Sequence, residues 1–140
     1  MNSFSHYSFG AVCEWMFRSL VGLETDGPGF QKIVIRPGPP GSEGGNPGVK
    51  PIDWVKATYR SPRGEIVVNW RQNGPQFELE TTLPANTSAV IHLPATSAES
   101  ILESGQPASR QPGVRLLRLE TGRAVLEVDS GRYQFVSQTR

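Results

Sequence analysis

The sequence predicts a mainly β protein, an antiparallel β-sandwich of jelly-roll type carrying one N-terminal α-helix. Three observations carry that expectation. Gly (15) and Pro (12) are abundant in 140 residues and punctuate the chain as short strands and tight turns require. From residue 52 onward apolar residues alternate with polar ones in short runs, with turn signals every eight to twelve residues. Only one stretch, near the N-terminus, shows helical spacing instead.

That stretch runs from Phe9 to Val21, with apolar residues at Phe9, Val12, Cys13, Met16, Phe17, Leu20 and Val21. They lie on one helical face. Ser5 or Ser8 can cap its start, Arg18 sits near its C-terminal end, and Gly22 is a natural stop. Trp15 falls off the stripe, so the helix meets apolar surface on two sides. Glu14 and Arg18 stand at i,i+4 and are expected to pair.

Asp26-Gly27-Pro28-Gly29 breaks the chain, and Phe30–Arg36 reads as a strand with Ile33 and Ile35 on one face. Residues 37–51 are dominated by Gly and Pro and read as a flexible loop. Strands then follow at Val55–Tyr59, Glu65–Arg71 (Ile66, Val68 and Trp70 inward), Phe77–Leu83 and Ser88–Leu93. Turns at Ser61–Gly64, Asn73-Gly74 and Pro84–Thr87 separate them. A weaker strand at Ser100–Glu103 and three more between Val114 and Val136 complete the series. The expected organisation is therefore 1–27 as a helix belonging to another domain, 28–51 as connecting strand and loop, and 52–140 as the sandwich.

Composition excludes several classes. A net charge of +1, with 14 Lys+Arg scattered against 13 Asp+Glu, argues against a nucleic-acid or anionic-membrane partner. No apolar run is long enough to span a bilayer, and no signal-peptide pattern opens the chain. The single Cys13 rules out an internal disulfide and any multi-cysteine zinc site. No metal site and no cofactor are expected, and the compartment is left open.

The segment Asn2-Ser3-Phe4-Ser5-His6-Tyr7-Ser8-Phe9-Gly10-Ala11-Val12-Cys13-Glu14-Trp15-Met16-Phe17-Arg18 resembles the C-terminal region of bacterial and fungal α-L-rhamnosidases, the family-78 glycoside hydrolases. Gly22-Leu23, Pro28–Pro37, Ala57–Gly64, Leu83–Thr87 and Val128–Phe135 continue the likeness in order along the chain. Two features depart from the family pattern: Cys13 stands where a small residue such as Gly is usual, and the loop at 41–51 is longer.

The resemblance implies that residues 1 to about 27 are the last helix of a catalytic (α/α)6 barrel otherwise missing from the chain. It implies an inverting hydrolase acting on L-rhamnose-containing glycosides, in which a carboxylic acid and a carboxylate flank the bond. Both lie upstream of the Asn-x-x-x-His motif in the family, so the chain alone is expected to be inactive and to contain no catalytic residue. His6 corresponds to a histidine that reaches the sugar pocket, where a neutral imidazole offers one donor and one acceptor. Asn2 and Tyr7 are the other substrate-binding candidates. By their own chemistry Asn2 is better suited to holding the loop, and Tyr7 to packing between barrel and sandwich.

Elsewhere Asp53, Glu65, Glu78, Glu80, Glu99, Glu103, Glu120, Glu127 and Asp129 are dispersed and expected mostly to face solvent. His92, between Ile91 and Leu93, is expected to point outward by alternation. Trp70 and Phe77 follow the buried alternation, whereas Trp54 is left open between packing and carbohydrate binding. The competing reading is a stand-alone β-sandwich that binds carbohydrate or a partner protein. Under the first reading, the helix stripe lacks its barrel and is expected to drive self-association.

Overall fold

A computed structural model describes residues 7–38 and 50–140, with side chains described from Gly10 onward in the helix. The Gly/Pro loop read at 37–51 lies for the most part outside the described residues. The described residues fold as one helix, α1 (Tyr7–Trp15), continued by a wider π-helical segment (Met16–Val21), followed by nine strands.

The strands are β1 (Leu23–Thr25), β2 (Lys32–Ile35), β3 (Trp54–Ser61), β4 (Gly64–Asn73), β5 (Gln76–Pro94), β6 (Leu102–Glu103), β7 (Gln106–Pro107), β8 (Val114–Glu120) and β9 (Arg123–Gln138). Two of them, β5 and β9, are long enough to serve two layers. Gln76–Leu83 pairs with Gly131–Gln138, the register breaks, and Ser88–Pro94 pairs with Arg123–Asp129. At the break Asn86 takes a left-handed φ of 59°, and the Thr87 hydroxyl donates to the Pro84 carbonyl at 2.6 Å. The turn expected at Pro84–Thr87 is thus a corner within one strand, not an end.

The corner divides the sheet into two halves. One is built from β3, β4, the first part of β5, the last part of β9 and the short β6–β7 hairpin. The other is built from β1, β2, the last part of β5, the first part of β9 and β8. Ile66, Val68, Trp70, Phe77 and Leu79 of the first half share a single buried cluster with Ile33, Ile35, Ala89, Ile91, Leu126 and Val128 of the second. The two halves therefore form a sandwich, as the alternation predicts.

Among the described residues all pairings are antiparallel except one: β2 runs parallel to β5, with Lys32–Ile35 beside Ser88–Ile91. Alternation specifies the face a side chain takes but not the direction of the neighbouring strand, so the sequence reading had no access to it. β1 and β2 belong to the same sheet, and Val21, Leu23, Ile33 and Ile35 are all buried in the common core.

The buried polar groups are paired. The Thr81 hydroxyl donates to Val67 O at 2.8 Å, and the Ser137 hydroxyl donates to Pro94 O at 2.6 Å. Among the described residues no buried side-chain polar atom lacks a partner. Glu103 departs from the solvent-facing expectation: it is buried, and its Oε1 accepts from the Ser104 hydroxyl at 2.7 Å and the Gln134 N–H at 3.4 Å.

Candidate functional site

The junction between helix and sandwich is where the most distinctive part of the sequence meets the rest. The helical segment stops at Gly22, which is left-handed (φ 79°, ψ 24°) and donates its N–H to Phe17 O. The Gly22 carbonyl accepts from Arg36 N at 2.7 Å, stitching the helix end to the end of β2. A Cβ at residue 22 would lie 2.1 Å from Arg36 O, so only glycine fits. The Trp70 indole N–H donates to Leu20 O at 3.0 Å and its ring stacks on Phe77, as its expected core position requires.

Above that anchor lies a groove of about 490 Å³. Phe17 meets Tyr59 edge-on at 5.5 Å between ring centroids, and Phe30 lies 5.0 Å from the same ring. The rim is charged. Arg18 bridges Glu14 at 3.2 Å, the expected i,i+4 pair, and Glu24 at 2.8 Å. Because one guanidinium engages both carboxylates, the rim does not offer the acid–base couple that glycoside hydrolysis needs. An aromatic floor rimmed by an ion-pair cluster centred on Arg18 suits packing of another surface.

The helix itself is covered at one end only. Phe17 and Leu20 are half-buried and Val21 is buried, but Val12 (55% exposed), Trp15 (55%) and Met16 (46%) face away from the sandwich. Cys13 is exposed as well. His6 and Asn2 lie outside the described residues. Of Tyr7 only its place at the first position of α1 is described.

His92 departs from its expectation. It does face away from the Ile91 and Leu93 side, yet it is 7% exposed. Arg36 Nη2 approaches its Nδ1 at 3.3 Å and Glu120 Oε2 lies 3.8 Å from the same nitrogen. Arg123 spans from Pro37 O (2.9 Å) to His92 O (2.6 Å), tying the chain after β2 to β5. Burial, then the charge of Arg36, holds the imidazole below its ordinary pKa; Glu120 opposes this, and Arg118 and Arg123 add to the lowering. Because a guanidinium only donates, Arg36 pairs with Nδ1 in the tautomer whose ring proton is on Nε2. Alternation missed this because long side chains of neighbouring strands can cover an outward residue. Among the described residues no cluster of three metal-ligating side chains occurs, and no helix is long and apolar enough to cross a membrane.

The described residues thus form a β-sandwich whose first strand follows directly on the covered end of a half-exposed helix. The chain belongs to the family of the bacterial alpha-L-rhamnosidase C-terminal domain, whose sequence profile matches residues 22–107. It is 32% identical over 135 residues to an alpha-L-rhamnosidase of Streptomyces avermitilis, covering 96% of this chain and 12% of that protein. An alpha-L-rhamnosidase of Formosa agariphila is 28% identical over 135 residues, again 96% of this chain and 14% of the relative. The crystal structure of the Streptomyces avermitilis enzyme complexed with L-rhamnose superimposes with a TM-score of 0.75 at 31% identity, over 99% of this chain and 12% of that one. The chain thus spans about an eighth of the length of these relatives.

Proposed function

We propose that this chain is the C-terminal module of an inverting α-L-rhamnosidase-like hydrolase that removes terminal α-L-rhamnose from glycosides. In this reading residues 1 to about 27 bring in the last helix of an (α/α)6 catalytic barrel, and the sandwich, whose sheet takes up Leu23–Thr25 as β1, braces that helix from behind. The observation that carries the reading is the half-covered helix. Val12, Trp15 and Met16 are exposed on the same element whose Phe17, Leu20 and Val21 pack against the sheet. Burying a large apolar side chain is worth roughly 1.5–3 kcal/mol, so a second packing partner on that face would be strongly favoured.

His6, with Asn2 and Tyr7, contacts the sugar from the barrel's rim, and the two carboxylates come from the barrel itself. The chain alone therefore has no hydrolase activity. The module supplies a sugar-contacting histidine and holds the last helix in place.

The test is a chimaera in which this chain replaces the matching segment of the Streptomyces avermitilis enzyme. It is assayed on an aryl α-L-rhamnoside beside the isolated chain. The chimaera should turn over, and His6→Ala should lower its kcat/KM by at least about tenfold, the value of one well-made hydrogen bond. A His6→Ala chimaera as active as its parent would remove His6 from the site. Turnover by the repurified isolated chain would overturn the assignment of the carboxylates to another domain.

A further inference from the structure

The outer face of the β3–β4–β5 half-sheet carries two neighbouring cross-strand rungs. Trp54 stands opposite Arg71, which stands opposite Glu78; Lys56 stands opposite Asn69, which stands opposite Glu80. The six side chains border a shallow depression of about 190 Å³. Trp54 is 56% exposed at its edge, although an indole in a strand is ordinarily drawn into a core, as Trp70 is here.

We infer that this face is a carbohydrate-binding platform, separate from the helix junction, that takes one pyranose ring of a neutral oligosaccharide. The dimensions fit. Adjacent strands lie about 4.8 Å apart and successive same-face residues roughly 6.8 Å apart, so the two rungs frame an area of one sugar ring. The indole offers a flat apolar surface for the C–H face of the ring, and its rigidity makes ordering inexpensive in entropy. Arg71 and Lys56 donate only, Glu78 and Glu80 accept only, and Asn69 does both, which matches hydroxyls that do either.

The charges decide the ligand class. Lys56, Arg71 and Arg132 stand among Glu78 and Glu80, and Glu80 already holds Arg132, so the platform presents mixed charge with no strong field of one sign and complements an uncharged glycan better than a polyanion such as a nucleic acid. Several of these polar groups are already held. Asn69 Nδ2 lies 3.5 Å from Glu80 Oε2, Glu80 Oε1 accepts from Arg132 at 2.5 Å, and Glu78 accepts from Gln76 at 2.7 Å. Side chains fixed in this way present their remaining hydrogen-bonding capacity in a defined direction. The platform does not depend on the catalytic reading above, since an isolated sandwich module would carry it equally well.

The experiment is a titration of the full chain, labelled with ¹⁵N, with rutinose as a neutral rhamnose–glucose disaccharide. The indole N–H resonance of Trp54 is followed beside those of Trp15 and Trp70. The expected result is a saturable shift of Trp54 in the millimolar range that vanishes in Trp54→Ala and weakens about tenfold in Arg71→Ala, with wild-type melting temperatures in both. Glucuronic acid should bind no more tightly than glucose. No saturable shift of Trp54, or undiminished binding in Trp54→Ala, overturns the proposal. So does a Trp54 resonance that responds only to protein concentration, which would make a second copy of the chain the occupant.

Discussion

The core face of β5 and the stripe on the N-terminal helix are written in the same kind of residue, and they end up in opposite situations. Phe77, Leu79 and Leu83 are buried between two half-sheets, whereas Val12, Trp15 and Met16 remain exposed. Hydrophobic periodicity identifies residues that share a face in both cases. It does not say whether this chain contains the surface that covers the face. For β5 the cover is supplied by Ile33, Ile35 and Leu126 from other strands. For the helix only Phe17, Leu20 and Val21 find it, at the end where the π-helical segment meets Tyr59 and Trp70.

The sharpest way to break this comparison is to truncate a residue of the covered face. Phe77→Ala opens a cavity between the half-sheets and should cost about 3–5 kcal/mol, read as a fall in the urea midpoint at unchanged slope. A loss below about 1 kcal/mol would mean that the sandwich is not the cooperative core.

Gly22→Ala tests the joint between the two regions. It forces a left-handed φ on a residue whose Cβ would meet Arg36 O, so a loss of at least about 1–3 kcal/mol is expected. Circular dichroism should show the helix, rather than the strands, responding first. Equal loss of both signals would instead place the helix inside the cooperative unit.

Acid should separate the regions too. His92 has a folded pKa held below its ordinary value, so the unfolded chain takes up its proton first. That contribution to stability is complete above the ordinary pKa near 6.5 and is lost as pH falls from there toward the lowered folded value. Glu80 and Glu120, also lowered, lose their contributions only below about 4.5, at more acidic pH. Thermal melts between pH 7.5 and about 5 should therefore show a decline that His92→Gln flattens. A decline of the same size in the variant would assign it to other groups.

The smallest effect on stability is expected from the triple substitution Val12→Ser, Trp15→Ser, Met16→Ser, within about 0.5 kcal/mol because no cover is lost. Its effect belongs to association. Light scattering should show the unmodified chain self-associating and the variant less so. Two monodisperse monomers would show that the exposed stripe does not drive contact between copies.

The sugar contact proposed for His6, Asn2 and Tyr7 rests only on likeness to a family, because these residues have no local partner pattern that would define a site. The platform around Trp54 was half legible. An exposed tryptophan could be suspected, but Arg71 and Glu78 stand 17 and 24 positions further along and reach it only through the register of three strands. The same holds for His92, whose cover comes from Arg36 and Glu120 on either side of it in sequence.

By itself the sequence determined the local matters: which residues of β2, β4 and the first part of β5 alternate inward, that Phe9–Val21 is helical, that Gly22 ends it, and that Trp70 and Phe77 are core. Each follows from the geometry of a single element, a period of 2 or 3.6 and the φ that glycine alone adopts freely. Tertiary structure alone decided the parallel seat of β2, the corner that lets β5 and β9 serve both layers, the burial of His92 and Glu103, and the open face of the helix. Those depend on which distant segment lies alongside, and a strand's own pattern of side chains is the same whichever neighbour it has.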